Sequence, residues 1–140
     1  MDKYKIYDAT KEEKDYTAHQ LIKFNHINLP YNQGQTFLRI SRCIRNGNEV
    51  IGGILAEMYW GVLCIEMLYV NEKYRNKGYA SALLSDVENT AKENNCNLCH
   101  LDTFDFQARG FYEKHGYTVF GALEDCPEGH NRFYMSKKLV

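Results

Sequence analysis

The stretch Val62-Leu63-Cys64-Ile65-Glu66-Met67-Leu68-Tyr69-Val70, then the polar run Asn71 to Lys77, then Gly78-Tyr79-Ala80-Ser81-Ala82-Leu83-Leu84, decides the fold. The first segment is almost wholly apolar, the pattern of a central strand covered on both faces. After the polar run the period turns helical. Ala80, Leu83, Leu84, Val87 and Ala91 fall at i, i+3, i+4, i+7 and i+11 on one stripe. That helix should fade at Asn94-Asn95, and Leu98 to Thr103 reads as another strand. Strand, helix and strand in this order predict a parallel crossover.

Upstream, Leu38, Ile40 and Ile44 alternate with Arg39, Ser41 and Arg45. Asn46-Gly47 then gives a strong hairpin signal. The partner strand runs from Glu49 to Tyr59, and Trp60-Gly61 makes a second tight turn before Val62. Nearer the start, Thr10 with Glu13 is a capping-box pattern. It predicts a helix with Tyr16, Leu21, Phe24 and Ile27 loosely on one side, ended by Pro30. Tyr31 to Thr36 reads as a loop, and Lys3 to Tyr7 as a short first strand. Downstream, Ala108, Phe111, Tyr112 and His115 mark a short helix over Gln107 to His115, with Gly116 as its stop. Tyr117 to Leu123 and Arg132 to Leu139 are two final strands. The fold class expected is α+β: a mixed, mostly antiparallel central sheet flanked by helices.

A chain of 140 residues fits one domain, taken as residues 1–140. At 44% hydrophobic and 25% charged residues it has globular composition. A net charge of −1 argues against a nucleic-acid binder, which usually carries a basic excess. Eleven Tyr and seven Phe predict an aromatic core or pocket. The five Cys form no disulfide framework, and no apolar leader or spanning segment is visible, so a cytoplasmic protein with reduced thiols is expected. Cys96-x2-Cys99 has half the spacing of a zinc knuckle but no second pair, so no metal is expected.

The residues Arg75-Asn76-Lys77-Gly78-Tyr79-Ala80 sit between a buried strand and a helix start. A helix N-terminus offers unpaired N–H groups and about half a positive charge, and phosphate binds there readily. Gly78 lets the backbone approach a ligand, Ala80 keeps the next turn slim, and Arg75 and Lys77 add positive charge at the rim. The pattern is neither a Walker loop nor a dinucleotide fingerprint.

The spacing Arg75-x-x-Gly78-x-Ala80 resembles the acetyl-CoA motif of the GNAT superfamily of N-acetyltransferases. Leu68-Tyr69-Val70 before it, Ala82-Leu83-Leu84 after it and Ala108-x3-Tyr112-x3-Gly116-Tyr117 downstream extend the resemblance over essentially the whole chain. It implies that acetyl-CoA lies in a V-shaped opening beside the central strand. Its pantetheine arm would pair with main-chain groups of Leu68, Tyr69 and Val70, and its pyrophosphate would sit on Arg75 to Ala80. It also implies that Tyr112 donates a proton to the leaving thiolate, that a backbone N–H near Leu68 faces the oxyanion, and that a homodimer forms. Many relatives carry Asn where this chain has Asp105, which cannot donate to a cofactor carbonyl; Gln107 is the substitute amide.

The attacking amine must lose a proton, and a carboxylate can take it. Glu66, a charge inside an apolar strand, is the first candidate base, and Glu57 on the neighbouring strand is the second. A bulge near the cleft would alter which face each occupies. His100 and Asp102 share a strand face and read as a structural pair. The acidic loop Glu124 to His130 offers attraction to a cationic amine, and Phe24 to Phe37 an opposite wall. The function expected is acetyl transfer from acetyl-CoA to a primary amine of a small molecule by direct attack. The alternatives are a protein lysine or N-terminal acetyltransferase and, from another class, a non-catalytic CoA-binding sensor.

Overall fold

The computed structural model describes residues 3–29 and 37–140. Two compact units make up the chain, residues 1–34 and 35–140. In the first, α1 runs Lys11–Asn28. The Thr10 hydroxyl accepts from the Glu13 N–H at 3.2 Å, and the Glu13 carboxylate accepts from the Thr10 N–H at 2.9 Å, so the capping box forms. The expected strand over Lys3 to Tyr7 does not: residues 4–10 have no regular structure. A strand exists only within a ladder, and none of the sheet's strands takes this segment as a partner. Pro30 and the loop Tyr31 to Thr36 lie outside the described residues.

The second unit holds β1 (Leu38–Asn46), β2 (Glu49–Tyr59), β3 (Val62–Val70), a 3-10 turn (Glu72–Tyr74), α2 (Tyr79–Glu93), β4 (Leu98–Phe104), α3 (Arg109–Lys114), β5 (Thr118–Leu123) and β6 (Arg132–Lys138). The strands form one sheet in the order β1-β2-β3-β4-β6-β5. Only β3 and β4 are parallel, joined through α2 as the period change predicts. The β5–β6 hairpin turns back so that β6, not β5, pairs with β4. The first hairpin differs in detail from its sequence signal. Asn46 pairs with Glu49, so the turn residues are Gly47-Asn48 rather than Asn46-Gly47.

One face of the sheet carries Ile54, Ala56, Met58, Leu63, Ile65, Leu101 and Met135, all buried. Leu83, Leu84, Val87 and Ala91 of α2 are buried with them, and α2 packs on β1, β2 and β3. Each such Leu or Val gains about 1.5–3 kcal/mol from leaving water. β3 is central but not covered on both faces: Met67 and Tyr69 are 63% and 59% exposed. The reason is a bulge. Leu55 pairs with Met67 and Ala56 with Ile65, so Glu66 is an extra residue with no partner on β2. The pleat slips by one there, Glu66 and Met67 are both exposed, and Leu68 and Val70 return to the packed side.

Beyond the bulge the backbones of β2 and β3 approach closely at Gly52. A methyl group there would lie 2.7 Å from the Tyr69 carbonyl oxygen and 3.0 Å from Val70 Cγ2. Gly52→Ala should therefore destabilise the protein by about 1–3 kcal/mol. Urea unfolding should show a lower midpoint at unchanged slope; an unchanged midpoint would contradict this account of β2 against β3.

Candidate active site

β3 and β4 pair only from Val62/Leu98 to Ile65/Leu101. β3 then continues along β2, and β4 continues along β6 to Phe104. The strands part at the bulge, and a cleft of about 1050 Å³ opens between them and the starts of α2 and α3. The Asn71 N–H donates to the Ile51 carbonyl at 2.8 Å. In an antiparallel ladder bonded pairs alternate, so Tyr69 and Met67 turn their backbone groups towards β2. Leu68 and Val70 turn theirs to the open side. Arg75 Nε occupies the Val70 carbonyl at 2.9 Å, which leaves the Leu68 N–H and C=O and the Val70 N–H as a free edge. Tyr69 lines the cleft with its ring, over which the Arg75 guanidinium lies at 5.5 Å.

The loop after β3 ends in two residues of left-handed conformation, Asn76 at φ 63° and Gly78 at φ 87°. The first bond of α2 runs from the Ala82 N–H to the Gly78 carbonyl. Among the described residues, the N–H groups of residues 76–81 have no backbone acceptor. Such an array is a site for an anion. Gly78 is required here for its dihedral angle. A side chain would meet nothing within 4 Å, so close approach within the protein is not the constraint. Arg75, Asn76, Gly78, Tyr79 and Ala80 line the cleft, whereas Lys77 points its ammonium over the Tyr74 ring at 5.8 Å.

Tyr112 lies in the α3 wall. It is buried, and desolvation lifts its phenol to about 12, with Cys99 and Asp102 adding smaller effects. The hydroxyl makes no hydrogen bond to the described residues, yet none of their fully buried side-chain N or O atoms lacks a partner. The hydroxyl therefore opens to the cleft, which Tyr112 lines. Gln107 accepts at Oε1 from the Phe104 N–H at 2.9 Å and from Thr103 Oγ1 at 3.3 Å. Its NH2 remains available to a ligand in the cleft.

Asp105 does not line the cleft. It accepts from the Asn131 N–H at 2.7 Å and from His130 Nδ1 at 2.8 Å, and these bonds hold its carboxyl below the usual range. It anchors the β5–β6 loop instead. Asp102 pairs with Arg132 at 2.8 Å rather than with His100. One feature of the wall carries no sequence signal: His115 Nε2 meets Ser81 Oγ at 2.9 Å, linking α3 to the first turn of α2. Cys96 and Cys99 are buried free thiols, and burial pushes Cys99 up to about 12.

Residues 3–117 match the Acetyltransferase (GNAT) family. This chain belongs to that family. The GNAT chain is 37% identical to an acetyltransferase of Bacillus cereus whose crystal structure superposes with a TM-score of 0.93 over 99% of both chains. It is 33% identical over 92 residues to the blasticidin-S acetyltransferase of Streptomyces morookaense, which spans 65% of this chain and 68% of that one. A Bacillus anthracis protein described as a streptothricin acetyltransferase, solved in complex with acetyl coenzyme A, is 26% identical. Its TM-score is 0.66, with 79% of this chain and 68% of that one covered. The protein is an acetyl-CoA-dependent acetyltransferase. Among its described residues no helix is long and apolar enough to cross a membrane.

Across the sheet from the packed face, this acetyltransferase brings Glu57 and Glu66 into hydrogen-bonding reach. Desolvation first, then Glu66, lifts the Glu57 carboxyl above its ordinary value of 4.5; Arg39 opposes this only weakly. Cys64 between them is raised by burial and by the carboxylates of Glu57, Glu66 and Asp102. The native state thus holds the Glu57 proton more tightly than the unfolded chain does. This group's contribution to stability is complete below pH 4.5 and is lost as pH rises through the raised native value. Glu57→Gln removes that loss. Its urea midpoint should gain on the parent as pH rises from acid to neutral, and parallel profiles would show that the pair does not share a proton.

Proposed function

We propose that the protein moves the acetyl group of acetyl-CoA directly to a primary amine of a small molecule, both held at once in the fork between β3 and β4, with residues 1–140 acting as one domain. The observation that carries this is the bulge at Glu66. Pairing of β3 with β4 ends there, and Glu66, Leu68, the α2 N-terminus and Tyr112 line one opening, with Glu57 next to Glu66. The chain fits acetyl-CoA: the free edge of Leu68 and Val70 suits the amides of the pantetheine arm, and the N–H groups of residues 76–81 suit the pyrophosphate. Arg75 adds charge, and the Gln107 NH2 supplies the amide donor that Asp105 cannot.

The acetyl thioester supplies the activated carbonyl. Glu66, with Glu57 beside it, receives the amine proton. A free alkyl amine titrates near 10.4, so deprotonation at neutral pH costs about 4 kcal/mol without such a base. The amine nitrogen bonds to the carbonyl carbon while the Leu68 N–H faces the developing oxyanion. The carbon–sulfur bond then breaks, and Tyr112 gives its proton to the thiolate. A phenol lifted to about 12 is still protonated at neutral pH, as this role requires. Support for a small acceptor comes from the relatives described as blasticidin-S and streptothricin acetyltransferases.

Release of the CoA thiol with putrescine, glucosamine, kanamycin and lysine amide tests the acceptor class against a lysine-containing peptide. Turnover confined to the peptide would overturn the small-molecule reading; CoA binding without turnover on any amine would favour a sensor. Tyr112→Phe and Glu66→Gln should each lower kcat by about 10²-fold, the usual weight of a general acid or base. Parent-like kcat in either variant would remove that residue from the mechanism.

A further inference from the structure

A buried carboxyl group that touches no reacting group lies behind the cleft. Glu88 of α2 is 6% exposed. It accepts from the Tyr117 hydroxyl at 2.7 Å and from Lys137 Nζ at 3.0 and 3.2 Å. The Tyr117 hydroxyl also lies 3.1 Å from Cys99 Sγ, and its ring is 2% exposed. A buried ion pair of this kind gives little net stability compared with apolar residues of the same volume. Its value here lies in what Tyr117 touches. The Tyr117 N–H donates to the Tyr112 carbonyl at 3.0 Å, and the two rings meet edge to face at 5.7 Å and 71°.

Tyr112 needs such support. Its hydroxyl has no partner among the described residues, so packing alone sets its direction. α3 has six residues, too few to be rigid by itself. α2 has 15 residues and is docked through its apolar stripe. The Glu88–Tyr117 bond ties that firm helix to the residue directly behind Tyr112, and Lys137 ties both to β6.

We propose that Tyr117, held by Glu88 and Lys137, is a positioning residue that aims the Tyr112 hydroxyl at the leaving sulfur; this rests on the reading of Tyr112 as the acid. Tyr117→Phe keeps the ring and removes only the bond. It should lower kcat about tenfold, within what misplacing a reacting group from a distance can cost, and leave KM for acetyl-CoA within about twofold.

The decisive measurement is a double-mutant cycle, with acetyl-CoA and the amine of the panel above that gives the highest kcat/KM. In the Tyr112→Phe background, Tyr117→Phe should change kcat by less than about twofold, because no hydroxyl is left to aim. Glu88→Gln, which still accepts the bond, should stay near the parent, and Glu88→Leu should match Tyr117→Phe. An equal loss of kcat in both backgrounds, or a raised KM in place of a lowered kcat, would make Tyr117 merely structural and overturn the proposal while Tyr112 keeps its role. If Tyr112→Phe alone keeps the parent kcat, the acid reading fails and the positioning role fails with it.

Discussion

Everything in this site depends on one extra residue in β3. Glu66 has no partner on β2, and pairing between β3 and β4 stops just before it. A parallel pair that stays together has no free backbone edge. Parting at Glu66 exposes the Leu68 groups to an extended ligand and opens the space that α2 and α3 line. The same slip reverses the side-chain alternation, so Leu68 and Val70 join the packed face while Glu66 and Met67 face out. One local irregularity therefore sets both the opening and which carboxylate stands beside it.

Around this fork the protein combines firm and open parts. The packed face is apolar and closed, with Ile54, Leu63, Leu84, Val87 and Met135 fully covered. The loop into α2 remains open, because Asn76 and Gly78 turn the chain through left-handed conformations and leave N–H groups unused. Between the two lies the aromatic layer of Phe111, Tyr112 and Tyr117, packed edge to face. Among the described residues only Tyr112 and Tyr117 of the many Tyr and Phe are buried, and others such as Tyr16, Phe24, Tyr69, Phe106 and Phe120 are exposed, so the aromatic composition does not make an aromatic core. The buried thiols of Cys96 and Cys99 sit in the same interior, where desolvation keeps both protonated and unreactive.

Much of the chain was legible because local patterns and tertiary packing agree. The stripe of α2 is helical in period and buried in fact, and the strand–helix–strand order becomes a parallel crossover. The capping box at Thr10 forms as its spacing predicts. The departures share one cause: the deciding partner is distant in sequence. Lys3 to Tyr7 has the look of a strand but no ladder to join. What Asp105 binds was also beyond local pattern, because its partners, His130 and Asn131, lie on a loop over twenty residues away.

The amino-acid sequence by itself determined the family and most of the elements, including the strand-to-helix loop Arg75 to Ala80. It could do so because periodicity, caps and small residues act over a few neighbouring positions. Only the tertiary structure decided which main-chain groups are free. That depends on strand register, and a single slip at Glu66 hands the open edge to Leu68 and Val70 while Tyr69 bonds to β2. Only the tertiary structure, too, brought Glu57 to Glu66 and Glu88 to Tyr117, since both pairs join side chains from separate elements.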